Sequence, residues 1–154
     1  MKSLFILLLS LNLLQNIFTY NAAAAVKYAR NWWNKRNPNY HDYRKIDSNK
    51  ESYNFMSQCI HAGGQDFTGC QGLDDKGMLT DTYDLQKCLL MKGWKKTDVF
   101  APGYPIFRKT ASVVMNGMIA TGVEGPFIKF CSHCYDRCHS IILKRLVETY
   151  APPQ

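Results

Sequence analysis

Two stretches of this 154-residue chain carry side chains that could do covalent chemistry. The first runs Glu51-Ser52-Tyr53-Asn54-Phe55-Met56-Ser57-Gln58-Cys59-Ile60-His61-Ala62-Gly63-Gly64, the second Cys131-Ser132-His133-Cys134-Tyr135-Asp136-Arg137-Cys138-His139. Read as a helix, the first puts Ser52, Phe55, Met56, Cys59 and Ile60 on one face, at spacings of three and four. Gly63 and Gly64 stop it, because glycine takes the left-handed closing turn at little steric cost. Ser52 then falls in the first turn, where unpaired N–H groups and the helix dipole favour a developing negative charge. That position suits a nucleophile. It suits equally a serine that caps the helix and satisfies its orphan N–H groups.

A serine nucleophile needs a base. Its hydroxyl is far less acidic than a thiol, and a helix dipole worth ~0.3–2 kcal/mol cannot make an alkoxide unaided. His133 and His139 are the candidate bases, with His41 in a loop as a further one. His61 lies more than two helical turns from Ser52 and points along another side. The second stretch crowds thiols and imidazoles as a zinc site does. Behind a leader the simpler reading is disulfide pairing, and the C-x3-C-H spacing is one residue longer than a covalent haem motif. No metal or cofactor is expected. The six cysteines, at 59, 70, 88, 131, 134 and 138, allow fifteen pairings, among which sequence does not choose.

At the N-terminus, Lys2 precedes an apolar run from Leu4 to Leu9 that continues through Leu11, Leu13 and Leu14. This is the pattern of a secretory signal peptide, ending before Tyr20. It is too short to span a bilayer, which takes about twenty apolar residues. The expected organisation is a leader at 1–19, one domain at 20–150 and a flexible tail at 151–154, in a secreted chain without stable membrane insertion. Lys2 is the sole charge in the leader, so the net charge of +7 falls to +6 without it. Such an excess fits a solvated surface or attraction to anionic polymers. The clusters Lys95-Lys96 and Lys144-Arg145 are mere pairs, and there is no aromatic-interleaved basic stripe, so nucleic acid is not an expected partner.

Around the reactive stretches, Ala22, Val26, Ala29 and Trp33 recur at helical spacing, Asn21 can cap them and Pro38 ends the run, predicting a helix over 22–34. A polar loop follows to Asn49, then the central helix, then a glycine-punctuated loop to Gly77. Thr80 or Asp81 opens a third helix carrying Leu85, Cys88 and Leu89, which Gly93 ends. Beyond it, Tyr104–Phe107, Ser112–Met118, Phe127–Cys131 and His139–Leu143 are short β-branched or aromatic runs separated by glycine and proline. Helices first and strands later predict an α+β domain, with N-terminal helices packed on a small antiparallel sheet.

Several blocks carry a resemblance. Tyr20-Asn21, Ala25-Val26-x-Tyr28-Ala29, Trp32-Trp33-Asn34, Asn37-Pro38-x-Tyr40 and, above all, Asn54-Phe55-x-Ser57-Gln58-Cys59-x-x-Ala62-Gly63-Gly64 resemble the putative amidase domain family, which groups with papain-like cysteine amidases and peptidases. The likeness continues through Leu85, Cys88-Leu89, Gly93-Trp94 and Pro102-Gly103-Tyr104-Pro105 to Cys131-Ser132-His133 and Asp136-Arg137-Cys138. It implies attack of a cysteine thiolate on an amide carbonyl, with a histidine base on a following strand and a polar residue orienting that base. A helix N-terminus beside an imidazolium lowers a thiol by several units, and nearby N–H groups hold the oxyanion.

The chain departs from that pattern at the reacting groups. Where the family has Asp-Cys, it has Glu51-Ser52; where the family tends to read H-A-T-I, it has Thr110-Ala111-Ser112-Val113. Tyr104 stands where aspartate is common. His133, matching the family's later histidine, remains as the orienting position. The resemblance thus implies a degenerate member with Ser52, Thr110 and His133 at the catalytic positions and Asn54, Gln58 and Trp94 as ligand contacts. Its expected role is binding a peptide or peptidoglycan-like ligand. One alternative is a hydrolase using Ser52 with a histidine base; another is a basic, disulfide-stabilised extracellular protein that binds anionic surfaces.

Overall fold

The computed structural model describes residues 19–108 and 117–154. The expected leader, apart from Thr19, and Thr110 with most of the Ser112–Met118 run lie outside these residues. Three helices precede the sheet, each opened by a side chain that accepts the first free N–H groups. In α1 (Ala22–Trp32), Asn21 accepts from Ala24 N at 2.9 Å. In α2 (Ser48–Ala62), Asp47 accepts from Asn49 and Lys50. In α3 (Thr82–Met91), Asp81 accepts from Tyr83 and Asp84.

Six antiparallel strands follow: β1 (Lys95–Thr97), β2 (Pro105–Arg108), β3 (Met118–Glu124), β4 (Phe127–Ser132), β5 (Arg137–Leu143) and β6 (Val147–Ala151), in the spatial order β1-β6-β2-β3-β4-β5. The chain is α+β, as expected. β3 shares only Met118 with the expected Ser112–Met118 run, and two further strands fall in none of the expected runs. β1 is three largely exposed residues, and β6 pairs with both β1 and β2. The expected flexible tail begins inside that pairing, since Ala151 is the last residue of β6 and lies opposite Lys95.

Strand alternation divides the apolar residues between two cores. Phe107, Ile119, Cys131 and Tyr150 face the helices and pack with Phe55, Met56, Ile60, Leu85, Leu89 and Trp94. Ile106, Met118, Ala120, Ile128, Phe130, Ile142 and Val147 form a second cluster on the opposite face. Register shifts between Ala120 and Gly122 and between Phe130 and Ser132 mark where strands bend.

Every residue of α2 from Glu51 to Ile60 is buried. Instead of the single apolar face that its spacing suggests, the helix is enclosed by α1, α3 and the sheet. Its C-terminal glycines have separate jobs. Gly64 takes the left-handed conformation, φ +96°, and a Cβ at Gly63 would stand 2.2 Å from the Tyr20 ring. Tyr20 is buried there, donating its hydroxyl to the Gly103 carbonyl at 2.7 Å and meeting Trp94 edge-on at 4.8 Å.

Two disulfides form, Cys70–Cys88 and Cys131–Cys138, leaving Cys59 and Cys134 as buried thiols. Cys70–Cys88 ties α3 to the loop before it across a sequence separation of 18. By chain-entropy reasoning a loop of that length contributes about 3 kcal/mol. Replacing both cysteines by alanine should therefore lower the urea midpoint by an amount equivalent to 2–4 kcal/mol of unfolding free energy. Denaturation curves of the wild type and the double variant check this.

Candidate functional site

The reactive stretches meet where the first turns of α2 pack against the β4–β5 hairpin. At the centre is the Glu51 carboxylate, only 1% exposed. It accepts the Tyr43 backbone N–H at 2.8 Å and a bond from His133 Nδ1 at 2.7 Å, and it pairs with Arg36 Nε. Arg36 reaches on through Nη2 to Asp136, 2.7 Å away. Four segments are joined by this one group of charges. Burial makes each charge costly alone and holds them together as a set.

His133 is buried and stacked on Phe55, with centroids 3.7 Å apart and planes 19° from parallel. Its Nε2 faces the Trp32 carbonyl at 2.8 Å, at the C-terminus of α1, where that oxygen also accepts the Lys35 N–H at 3.2 Å. Both ring nitrogens thus face oxygen atoms, a carboxylate and a carbonyl, and neither is turned to the Ser52 hydroxyl, which is bonded to Ser48. His133 positions α1 and α2 relative to the hairpin.

Ser52 is fully buried. It is not the cap that its place in the sequence motif suggests, because α2 begins one turn earlier, at Ser48, under Asp47. Ser52 is the fifth helical residue, and its Oγ donates to the Ser48 carbonyl at 3.1 Å, a bond back along the helix. The extra turn also removes the free N–H groups that an oxyanion would need. Asp47 takes those of Asn49 and Lys50 by its side chain and that of Glu51 by its carbonyl. The next N–H in the ladder, that of Ser52, is paired within the helix.

The neighbour of Ser52 that the motif did not announce is Cys134. Its thiol is hydrogen-bonded to the Ser52 side chain, and its backbone N–H donates to Ser132 Oγ at 3.1 Å. Burial pushes this thiol up, while the Ser52 bond and the positive charges of Arg137 and Arg108 pull it down. Cys59, in the α2 core, is pushed up by burial far more strongly. A signal for Cys134 was present in the spacing, since it is the middle cysteine of Cys131-x2-Cys134-x3-Cys138. Only the pairing of the outer two distinguishes it.

The other named residues lie elsewhere. Asn54 donates to the His41 carbonyl, Gln58 accepts from the Tyr28 hydroxyl, and Trp94 donates to Gln65 Oε1, all within the interior. None of the three faces solvent. Of the candidate bases, His41 pairs with Asp75 at the surface, His61 faces the Gln65 carbonyl, and His139 is exposed with φ +62°. Among the described residues no group of three or more His, Cys, Asp and Glu side chains is placed to hold a metal ion.

The profile described as "Putative amidase domain" matches residues 19–101. The chain belongs to that family. The matched span holds all three helices, β1 and the Glu51-Ser52 turn, and ends before the strands that supply His133 and Cys134. A curated relative, the uncharacterized protein YhbB of Bacillus subtilis (strain 168), is 44% identical over 52 residues. That alignment covers 34% of this chain and 15% of YhbB, so the chain matches a small part of that relative's length. No solved structure matches.

Removing Glu51 leaves His133 and Arg36 buried without their acceptor. Glu51→Ala should cost about 3–5 kcal/mol of stability. Asp136→Ala, at a carboxylate 39% exposed, should cost under about 1 kcal/mol. Urea denaturation of the two variants separates these outcomes. The raised thiol gives a second expectation. Thiolate is the form that reacts, so native Cys134 should alkylate with a pH midpoint above the ~8.5 of a free cysteine. In denaturant the midpoint should fall back to that ordinary value, as mass-spectrometric labelling against pH would show.

Proposed function

We propose that this chain is an exported amidase-family domain that no longer hydrolyses amides at position 52 and acts by binding peptide or cell-wall-like ligands. The observation that carries this reading is the state of Ser52: fully buried, in the second turn of its helix, with its hydroxyl bonded to Ser48. His133 adds support, since both of its nitrogens are committed to Glu51 and Trp32. Acyl transfer needs a nucleophile, a base within reach and donors for the oxyanion. Here the first is enclosed, the second is engaged, and the helix N–H groups are capped. Export is supported by the apolar stretch at 1–19 and by two disulfides, which persist in oxidising compartments. A helix bearing the family's nucleophile position, laid against an antiparallel sheet, is in keeping with the papain-like relationship.

Purified protein with its disulfides intact should give no adduct at Ser52 with a fluorophosphonate probe and no turnover of a peptide and muropeptide amide panel. Ser52→Ala should leave calorimetric binding to that panel within about twofold of wild type. Turnover abolished by Ser52→Ala would overturn the reading in favour of a serine hydrolase.

A further inference from the structure

On the hairpin side of Cys134 the surface opens into a cavity of about 190 Å³. Its lining contains two arginines, Arg108 at the end of β2 and Arg137 at the start of β5, and no carboxylate. The Arg108 side chain has no ion pair among the described residues, and Arg137 lies over the Tyr135 ring at 5.2 Å. Both arginines line this cavity together with Cys134. Met118, Phe130, Ile141 and Ile142 supply apolar lining beside them.

We propose that this cavity binds the C-terminal carboxylate of a peptide whose last side chain is apolar. The proposal rests on the binding reading above and gives it a site. Three features select this ligand. Guanidinium forks match a planar carboxylate in two-point contacts. An apolar floor beside a cationic rim asks for an anion carried on an apolar stem. The volume is that of about six waters at ~30 Å³ each, room for one residue rather than a polymer. The peptide character follows from β5, which lines the cavity through Ser140 and Ile142 and is the last strand of the sheet. Its outer edge leaves backbone groups open along the approach, as in strand-addition recognition. Cys134, at the base, separates the carboxylate from Ser52. The ligand is therefore held beside the family's nucleophile position without reaching it.

The test uses the full chain with both disulfides formed. Acetyl-Ala-Ala-Leu as the free acid and as the C-terminal amide would be titrated by calorimetry, with octanoate as a third arm. The free acid should bind at least tenfold more tightly than the amide. Arg108→Gln and Arg137→Gln should each erase most of that preference. The free acid should also slow alkylation of Cys134 several-fold, and the amide should not. Arg137 is exposed, so its variant tests the proposal even if Arg108→Gln fails to fold by circular dichroism. Equal affinity for acid and amide, or an unchanged preference in a folded arginine variant, would overturn the proposal. Octanoate binding as tightly as the peptide acid would overturn its peptide part. None of these outcomes touches hydrolysis at Ser52, so failure here is distinct from failure of the non-catalytic reading.

Discussion

The structure turns on one buried carboxylate. Glu51 sits in the first turn of a helix that is buried from Glu51 to Ile60, where a lone negative charge would be costly. It is tolerated because a guanidinium, an imidazole and a backbone N–H converge on it from three other segments. The helix dipole also favours an anion at this end. Each partner is local to nothing else. Arg36 lies in the loop after α1, Tyr43 in the loop before α2, and His133 at the tip of the hairpin. The carboxylate therefore sets how the N-terminal helices sit on the late strands. The family profile matches the helices and stops before those strands, and this charge group crosses the boundary between them.

That arrangement also sets the surroundings of position 52. His133, which the resemblance places at the orienting position, is bonded to the carboxylate next to Ser52. The helical turn from Ser48 to Glu51 precedes position 52. It moves position 52 off the helix end, so the N–H groups and the dipole that would help an anion now belong to Asp47 and the residues it caps. A thiol has reappeared beside the site in Cys134, reached from the hairpin rather than the helix.

Much of the fold was legible because local chemistry and tertiary structure agree. Asn21 and Asp81 cap the helices they precede, and Gly63-Gly64 ends α2 where the glycine pair is placed. β1 was not legible, since Lys95-Lys96-Thr97 has neither apolar alternation nor length and is ordered by pairing with β6. The start of α2 was misread for a related reason. Ser48 to Lys50 are exposed and polar, so hydrophobic spacing says nothing there, and only the Asp47 side chain fixes the first turn. Asn54, Gln58 and Trp94 stand in motif blocks that signal family membership. Their polar atoms answer internal needs, and a motif alone does not distinguish a ligand contact from a buried hydrogen bond. The Glu51–His133 contact spans 82 positions, a separation that no local pattern encodes.

Tyr20 is the first core residue among those described. Thr19 is exposed, and the next residue is already part of the core, its ring against Trp94 and Gly63 and its hydroxyl on Gly103. The neighbouring Asn21 N–H is bonded to the Gly63 carbonyl. Loss of Tyr20 would take out the aromatic wedge that closes the end of the central helix.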